Sequence, residues 1–438
     1  MKIGIERFIT VITLMLLIFI VENAHSQQLG EVLERHAIPF DGESDIVSVI
    51  DLIGDERLIL MGEASHGTSE FYRKRAVLSK ELIRERGIDF IAVEGDWASF
   101  SRINEYVKQK DGGPSSLEEA MNSLNRWPHW MWRNSEFKSL VQWLYEFNLD
   151  RLPEDRVGLY GIDVYANEAA MEDVVNWISS VDSRLGRRAN SAYSCLSRHS
   201  EIGNYLQMVN RTGQHCGSDM QEVLEIVRGL KDEPGVSRWD FFKAEHGALV
   251  AINAELHYRA NLEQNSASWN YRAEHFYLTA ERLLEQYGEE SRGIIWAHNT
   301  HIGDARATDM ARFGMVNIGQ LSRDHLGHDK VYAIGFGTHE GRVLAAYQWE
   351  GAMVQMEIPS SASGTWEYEL MSLGHEKLYL DLRRDELQEA LSNRIPHRAI
   401  GVTYNPAADR NNFVPSTLPE RYDLFIFFNR TDVLDPLD

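Results

Sequence analysis

Glu63 and His66 stand three residues apart in Gly62-Glu63-Ala64-Ser65-His66-Gly67. A carboxylate at that spacing from an imidazole on one turn can hold the ring and stabilise its charged form. An imidazole held in this way is a general base able to take a proton from water. Three more turns carry ionisable residues: Glu94-Gly95-Asp96-Trp97, Gly161-Ile162-Asp163 and Ala297-His298-Asn299-Thr300-His301. Four such turns in one chain predict a reactive site, in which His66 beside Glu63 could activate a water. General-base assistance supplies only about 10²–10⁴ in rate, so the oxyanion also needs a donor. Arg75, Arg272 or a protonated His298 or His301 could supply it. Ser65 lies outside any Gly-x-Ser-x-Gly elbow, which argues against an ordinary serine hydrolase.

The same residues admit two other readings. His298 and His301 at i, i+3, joined by His66, Glu63 and Glu94, form a donor set that zinc would accept. Two inward arginines would repel a divalent cation, so the expectation is an enzyme with no metal and no cofactor. A non-enzymatic carrier of haem or another ligand could use these histidines together with Trp127, Trp130 and Trp132.

Each of the four turns follows a short apolar run: Leu58 to Met61, Phe90 to Val93, Val157 to Tyr160 and Ile294 to Trp296. Runs of this kind read as strands buried on both faces, and ligands bind beyond the carboxyl ends of such strands. Further candidate strands are Val331 to Ile334, Val343 to Tyr347, Leu378 to Leu380, Ala399 to Val402 and Leu424 to Phe428. Phe71, Arg75, Leu78 and Leu82 fall on one stripe of a helix ending near Arg86. An inward guanidinium there needs a carboxylate, and Glu94 is the candidate; the alternative is that Arg75 reaches the surface. Helical patterns alternate with the early strands, and between about 164 and 292 the strand signal vanishes. The predicted class is therefore α/β: a mostly parallel central sheet, mixed at its C-terminal edge, flanked by helices and carrying a large helical insertion.

Lys2 and Arg7 precede an apolar segment from Phe8 to Val21 and then Ala24-His25-Ser26. That layout predicts a signal peptide over residues 1–26, cleavage before Gln27, and an exported protein, periplasmic or secreted, with no membrane contact after processing. The formal net charge of −22 argues against nucleic acid and anionic membranes as partners. The partner expected is a small molecule. Cys195 and Cys216 could close one disulfide in an oxidising compartment; two free buried thiols are the alternative.

The spaced motifs also carry a resemblance. Gly62 to Gly67, Glu94-Gly95-Asp96-Trp97, Trp130-Met131-Trp132-Arg133-Asn134, Tyr160 to Tyr165, Trp296 to Asp304, Gly335-Phe336-Gly337-Thr338 and Ala399-Ile400-Gly401-Val402 together resemble the erythromycin esterase family. The resemblance implies metal-independent ester hydrolysis, in its best-known members opening of the erythromycin macrolactone. It places Glu63 and His66 as orienting carboxylate and general base. Arg75, Glu94, Arg272, His298 and His301 match other active-site positions, with Arg75, Arg272 and Asp163 expected on the substrate. Arg272-Ala273-Glu274-His275 stands where many members have Arg-Asp-Arg-His.

Overall fold

The computed structural model describes residues 29–199 and 201–437. The predicted signal peptide lies outside them.

Among the described residues, a nine-stranded sheet forms the centre of the molecule. Its strands are β1 (Ile38–Pro39), β2 (Leu58–Met61), β3 (Phe90–Asp96), β4 (Gly158–Asp163), β5 (Gly293–Trp296), β6 (Val331–Ala345), β7 (Val354–Ile358), β8 (Lys377–Asp381) and β11 (Leu424–Thr431). They lie in the order β1-β8-β11-β6-β2-β5-β3-β4, with β7 added antiparallel to the far half of β6. A separate hairpin pairs β9 (Ile395–Arg398) with β10 (Phe413–Ser416). From β11 to β4 every neighbouring pair is parallel, whereas β8 runs antiparallel to both β11 and β1. This is a mixed α/β sheet, parallel in the middle and antiparallel at one edge.

Two of the segments singled out above follow β2 and β5, and the other two, Glu94 to Asp96 and Gly161 to Asp163, are not turns but the last residues of β3 and β4; the four strands are contiguous in the sheet. Parallel pairing therefore opens all four on the same edge. All residues of these strands are buried, which is why they read as unbroken apolar runs rather than alternating ones. One irregularity serves the site directly. Val93 pairs with Gly161 and Asp96 with Asp163, so β3 carries one residue more than β4 over that span. The resulting bulge sits at Glu94 and Gly95 and turns the strand at the point where its carboxylate is needed. Gly161 has to be glycine, because a Cβ there would lie 2.4 Å from the backbone oxygens of Gly95 and Asp96.

Some expectations are corrected. Val331 to Ile334 and Val343 to Ala345 belong to one long strand, β6, with Gly335, Gly337 and Gly341 inside it, and the strand ends two residues short of Tyr347. Ala399 to Val402 is not a strand; Ile400 makes an isolated parallel bridge to Ser65, its amide donating to the Ala64 carbonyl at 2.8 Å. The helical region runs from Asn167 to Tyr287 and opens with two helices, Asn167–Val181 and Ser183–Ser197. Asp182 divides them: its side chain accepts the Arg184 and Leu185 amides and caps Ser183–Ser197. The helix Ile202–Thr212 was hidden by its polarity, with only Tyr205 and Val209 buried.

These helices enclose a core of their own, including Met171, Ile178, Tyr193, Val223 and Ala248. Cys195 and Cys216 are joined across it, with Cα atoms 5.7 Å apart. Closing a loop of 21 residues stabilises by about 3 kcal/mol on the chain-entropy account. Replacing both cysteines with alanine should therefore lower the denaturation midpoint and raise hydrogen exchange first in the Ser183–Gly229 helices. Uniform loss of protection over the central sheet instead would show that the bridge supports the whole fold. No helix among the described residues is long and apolar enough to cross a membrane.

Candidate active site

A cleft of about 390 Å³ opens at the carboxyl edge of the sheet. His66, Glu94, Asp163, Arg272, His298 and His301 all line it.

His66 follows β2 in a turn pinned from two sides. Asn299 donates its amide to the Glu63 carbonyl at 2.9 Å, and Gly62 leaves room for the Asn299 side chain, which a Cβ would meet at 2.0 Å. The His66 Nδ1 donates to Glu63 Oε1 at 2.9 Å. That hydrogen bond leaves Nε2 as the ring's free lone pair on the cleft side. Burial by itself would push the His66 pKa down, but the Glu94 carboxylate and the Glu63 hydrogen bond outweigh it, and the net shift is upward from 6.5.

Glu63 is fully buried and accepts from Arg75 Nη2 at 2.6 Å through its other oxygen. Arg75 is also fully buried, its guanidinium 4.4 Å from the Tyr72 ring and 4.6 Å from the Trp296 ring. The expectation that Glu94 pairs with Arg75 is thus corrected: the partner is Glu63, from the turn just before the helix. Arg75 does not reach the cleft wall, so its expected contact with substrate is corrected as well. It holds the carboxylate that holds the base.

The opposite wall is a second charged cluster. Arg272, on the helix Ala267–Tyr287, donates from Nε and Nη2 to the two oxygens of Asp163 at 2.9 and 2.5 Å, and from Nη2 to Glu94 Oε1 at 2.9 Å. Its Nη1 lies 3.3 Å from His301 Nε2, which stands 3.2 Å from Glu94 Oε1. The other Glu94 oxygen accepts the His298 amide at 2.9 Å. Burial would raise the Glu94 pKa, yet His301, His66 and Arg272 together hold it well below the usual carboxylate range. The His301 ring stacks on Trp269, 4.6 Å apart and nearly parallel.

His298 faces His66 with ring centroids 4.9 Å apart. Its Nδ1 accepts the Thr300 amide at 3.2 Å, which assigns the proton to Nε2. Burial, then the neighbouring His66, push its pKa well below 6.5, so His298 is neutral and the protonated His298 invoked above is corrected.

Among the described residues no three His, Cys, Asp or Glu side chains converge as a metal cage would require. The reason is visible: Arg272 and Arg75 occupy the carboxylate oxygens that a cation would need. Of the three tryptophans, Trp130 is wholly buried, whereas Trp127 and Trp132 line the cleft. Tyr165, Trp269, Trp349 and the segment Ala399 to Thr403 also line it without having been predicted. Trp349 packs on Trp127 at 4.6 Å from a loop that no strand pattern flags.

A buried carboxylate-backed imidazole thus faces an arginine–carboxylate cluster at the sheet's carboxyl edge. The Erythromycin esterase family matches residues 83–431, and the chain belongs to that family, which makes ester hydrolysis its class of chemistry. The match begins after the Glu63–His66 turn, whose role rests on its geometry. The chain is 20% identical over 326 residues to the Escherichia coli protein named erythromycin esterase type II, covering 70% of this chain and 75% of that one. Among solved structures, a Bacillus cereus protein superposes with a TM-score of 0.79 at 17% identity, covering 94% of this chain and 99% of that one. A mutant of the erythromycin esterase EreC in its open conformation superposes with a TM-score of 0.65 at 14% identity, covering 89% and 94%. At these identities the solved structures show the shared fold.

Proposed function

We propose that the protein hydrolyses a carboxylic ester by direct attack of water, with His66 as general base. The observation that carries this reading is the chain Arg75–Glu63–His66. A buried guanidinium fixes a buried carboxylate, which fixes Nδ1 and leaves Nε2 for the water. As water adds to the ester carbonyl, its proton passes to Nε2 and Glu63 stabilises the imidazolium. Arg272 has five N–H donors, of which Asp163 and Glu94 engage three, leaving those on Nη1 for the developing oxyanion. Neutral His298 carries an Nε2 proton that no group among the described residues accepts, and it stands beside His66 as a second donor.

The aromatic wall of Trp127, Trp132, Tyr165, Trp269 and Trp349 favours an ester with a large apolar or ring-bearing body, and a macrolactone of the erythromycin kind is one such substrate. Turnover of a panel of simple aryl esters and macrolactones tests the assignment. Hydrolysis should persist after exhaustive chelation, because the arginines hold the carboxylates. Activity lost to a chelator and restored by zinc would replace this reading with a metal-assisted one; tight binding without turnover of any ester would leave a carrier.

The reading includes export. The N-terminus of protein recovered from outside the cytoplasm should lie near Gln27 by mass spectrometry, and intact chain confined to the cytoplasm would overturn it.

A further inference from the structure

A second cavity, of about 370 Å³, shares no lining residue with the cleft. It lies between the helix Trp97–Val107 and the helix Arg238–Ala260 of the insertion. Its charged end is Lys108, which donates to the Tyr287 hydroxyl at 2.9 Å. The Tyr287 ring stacks on Phe90, the first residue of β3, so Lys108 is at the opposite end of the strands from Glu94.

Lys108 is 5% exposed, and its ammonium lies 4.9 Å from the ring centres of both Trp239 and Tyr287. Among the described residues no carboxylate comes within 4.0 Å of that nitrogen. Of the other cations that line this cavity, Lys243 and Arg102 share the Glu105 carboxylate, at 2.5 and 3.0 Å, and Lys110 is exposed. Burial and then Lys110 push the Lys108 pKa down to about 8, with Asp89 opposing them. A buried ammonium with no carboxylate in contact is costly, and an anion entering the cavity would relieve that cost.

We propose that this cavity is a second ligand site, taking a monocarboxylate with a flat apolar body, its carboxylate on Lys108 and its body against Trp239 and Phe242. Lys108 is the buried ammonium of the lining, whereas Lys110, Asp111, Glu154 and Asp240 are exposed, and one buried ammonium matches one carboxylate. Trp239 and Phe242 pack edge to face, with ring centres 5.7 Å apart, and together present one apolar surface that suits a ring rather than a phosphate. The inference is independent of the chemistry assigned to the cleft.

Titration calorimetry of the whole protein with benzoate, and with benzamide as the neutral isostere, tests it. Benzoate should bind saturably at pH 7 and benzamide at least about tenfold more weakly. Benzoate affinity should fall about tenfold between pH 7 and pH 9 as Lys108 loses its proton. Lys108→Met, folded by circular dichroism, should lose the site, while His66→Ala should retain it. Equal affinity for benzamide, a flat pH dependence in the wild-type protein, unchanged binding by folded Lys108→Met, or no saturable benzoate binding would each overturn the proposal. The pH arm needs no variant to fold.

Discussion

Replacing His66 with alanine should lower kcat/KM for any ester the protein hydrolyses by about 10²–10⁴-fold and leave the circular dichroism spectrum unchanged. The ring lines the cleft, and its one direct hydrogen bond is to Glu63, so its removal deletes the base without opening the sheet. Glu63→Gln should give an intermediate loss. A glutamine can still accept from Nδ1, but it cannot stabilise the imidazolium with a full charge. Because the two residues act as a unit, the double variant should be little worse than His66→Ala alone. Losses that simply add, in folded proteins, would mean that Glu63 and His66 work separately and that the base is elsewhere.

Arg75→Met is expected to have the largest effect on stability, about 3–5 kcal/mol in denaturant unfolding, since it leaves Glu63 buried without its partner. Methionine fills much of the same volume between Tyr72 and Trp296, so lost packing is a minor part of the cost. The loss should be much smaller in the Arg75→Met/Glu63→Gln double variant, where no buried charge remains to be satisfied. Equal destabilisation of the single and double variants would show that packing, not the ion pair, is what Arg75 contributes. Activity should fall with the single substitution too, because Glu63 is no longer fixed against His66 Nδ1.

The sheet was legible in the chain because strands buried on both faces leave continuous apolar runs, as at Leu58–Met61 and Gly293–Trp296. The charged turns were legible because a carboxylate or imidazole just after such a run has few structural reasons to be there. What stayed hidden depended on distances across the fold. Nothing in the order of residues says whether an inward Arg75 meets Glu63, twelve positions back, or Glu94, nineteen ahead; the register of β2 against its helix decides it. The bulge at Glu94 is invisible for the same reason, because it exists only relative to β4. Trp349 and Ala399 to Thr403 line the cleft from irregular segments, which carry no periodicity. The polarity of Ile202–Thr212 concealed a helix that packs through two side chains.

The most direct test of the central claim is the pH dependence of kcat/KM for wild-type protein and Glu63→Gln, measured with one ester. His66 must be neutral to accept a proton from water, and its folded pKa is raised, so the rate should climb with pH through a midpoint above 6.5. In Glu63→Gln the carboxylate that helps raise that pKa is gone, so the midpoint should move to lower pH even as the plateau rate drops. A midpoint that is the same in both proteins, or a rate that falls as pH rises through this range, would contradict a Glu63-supported His66 as the base.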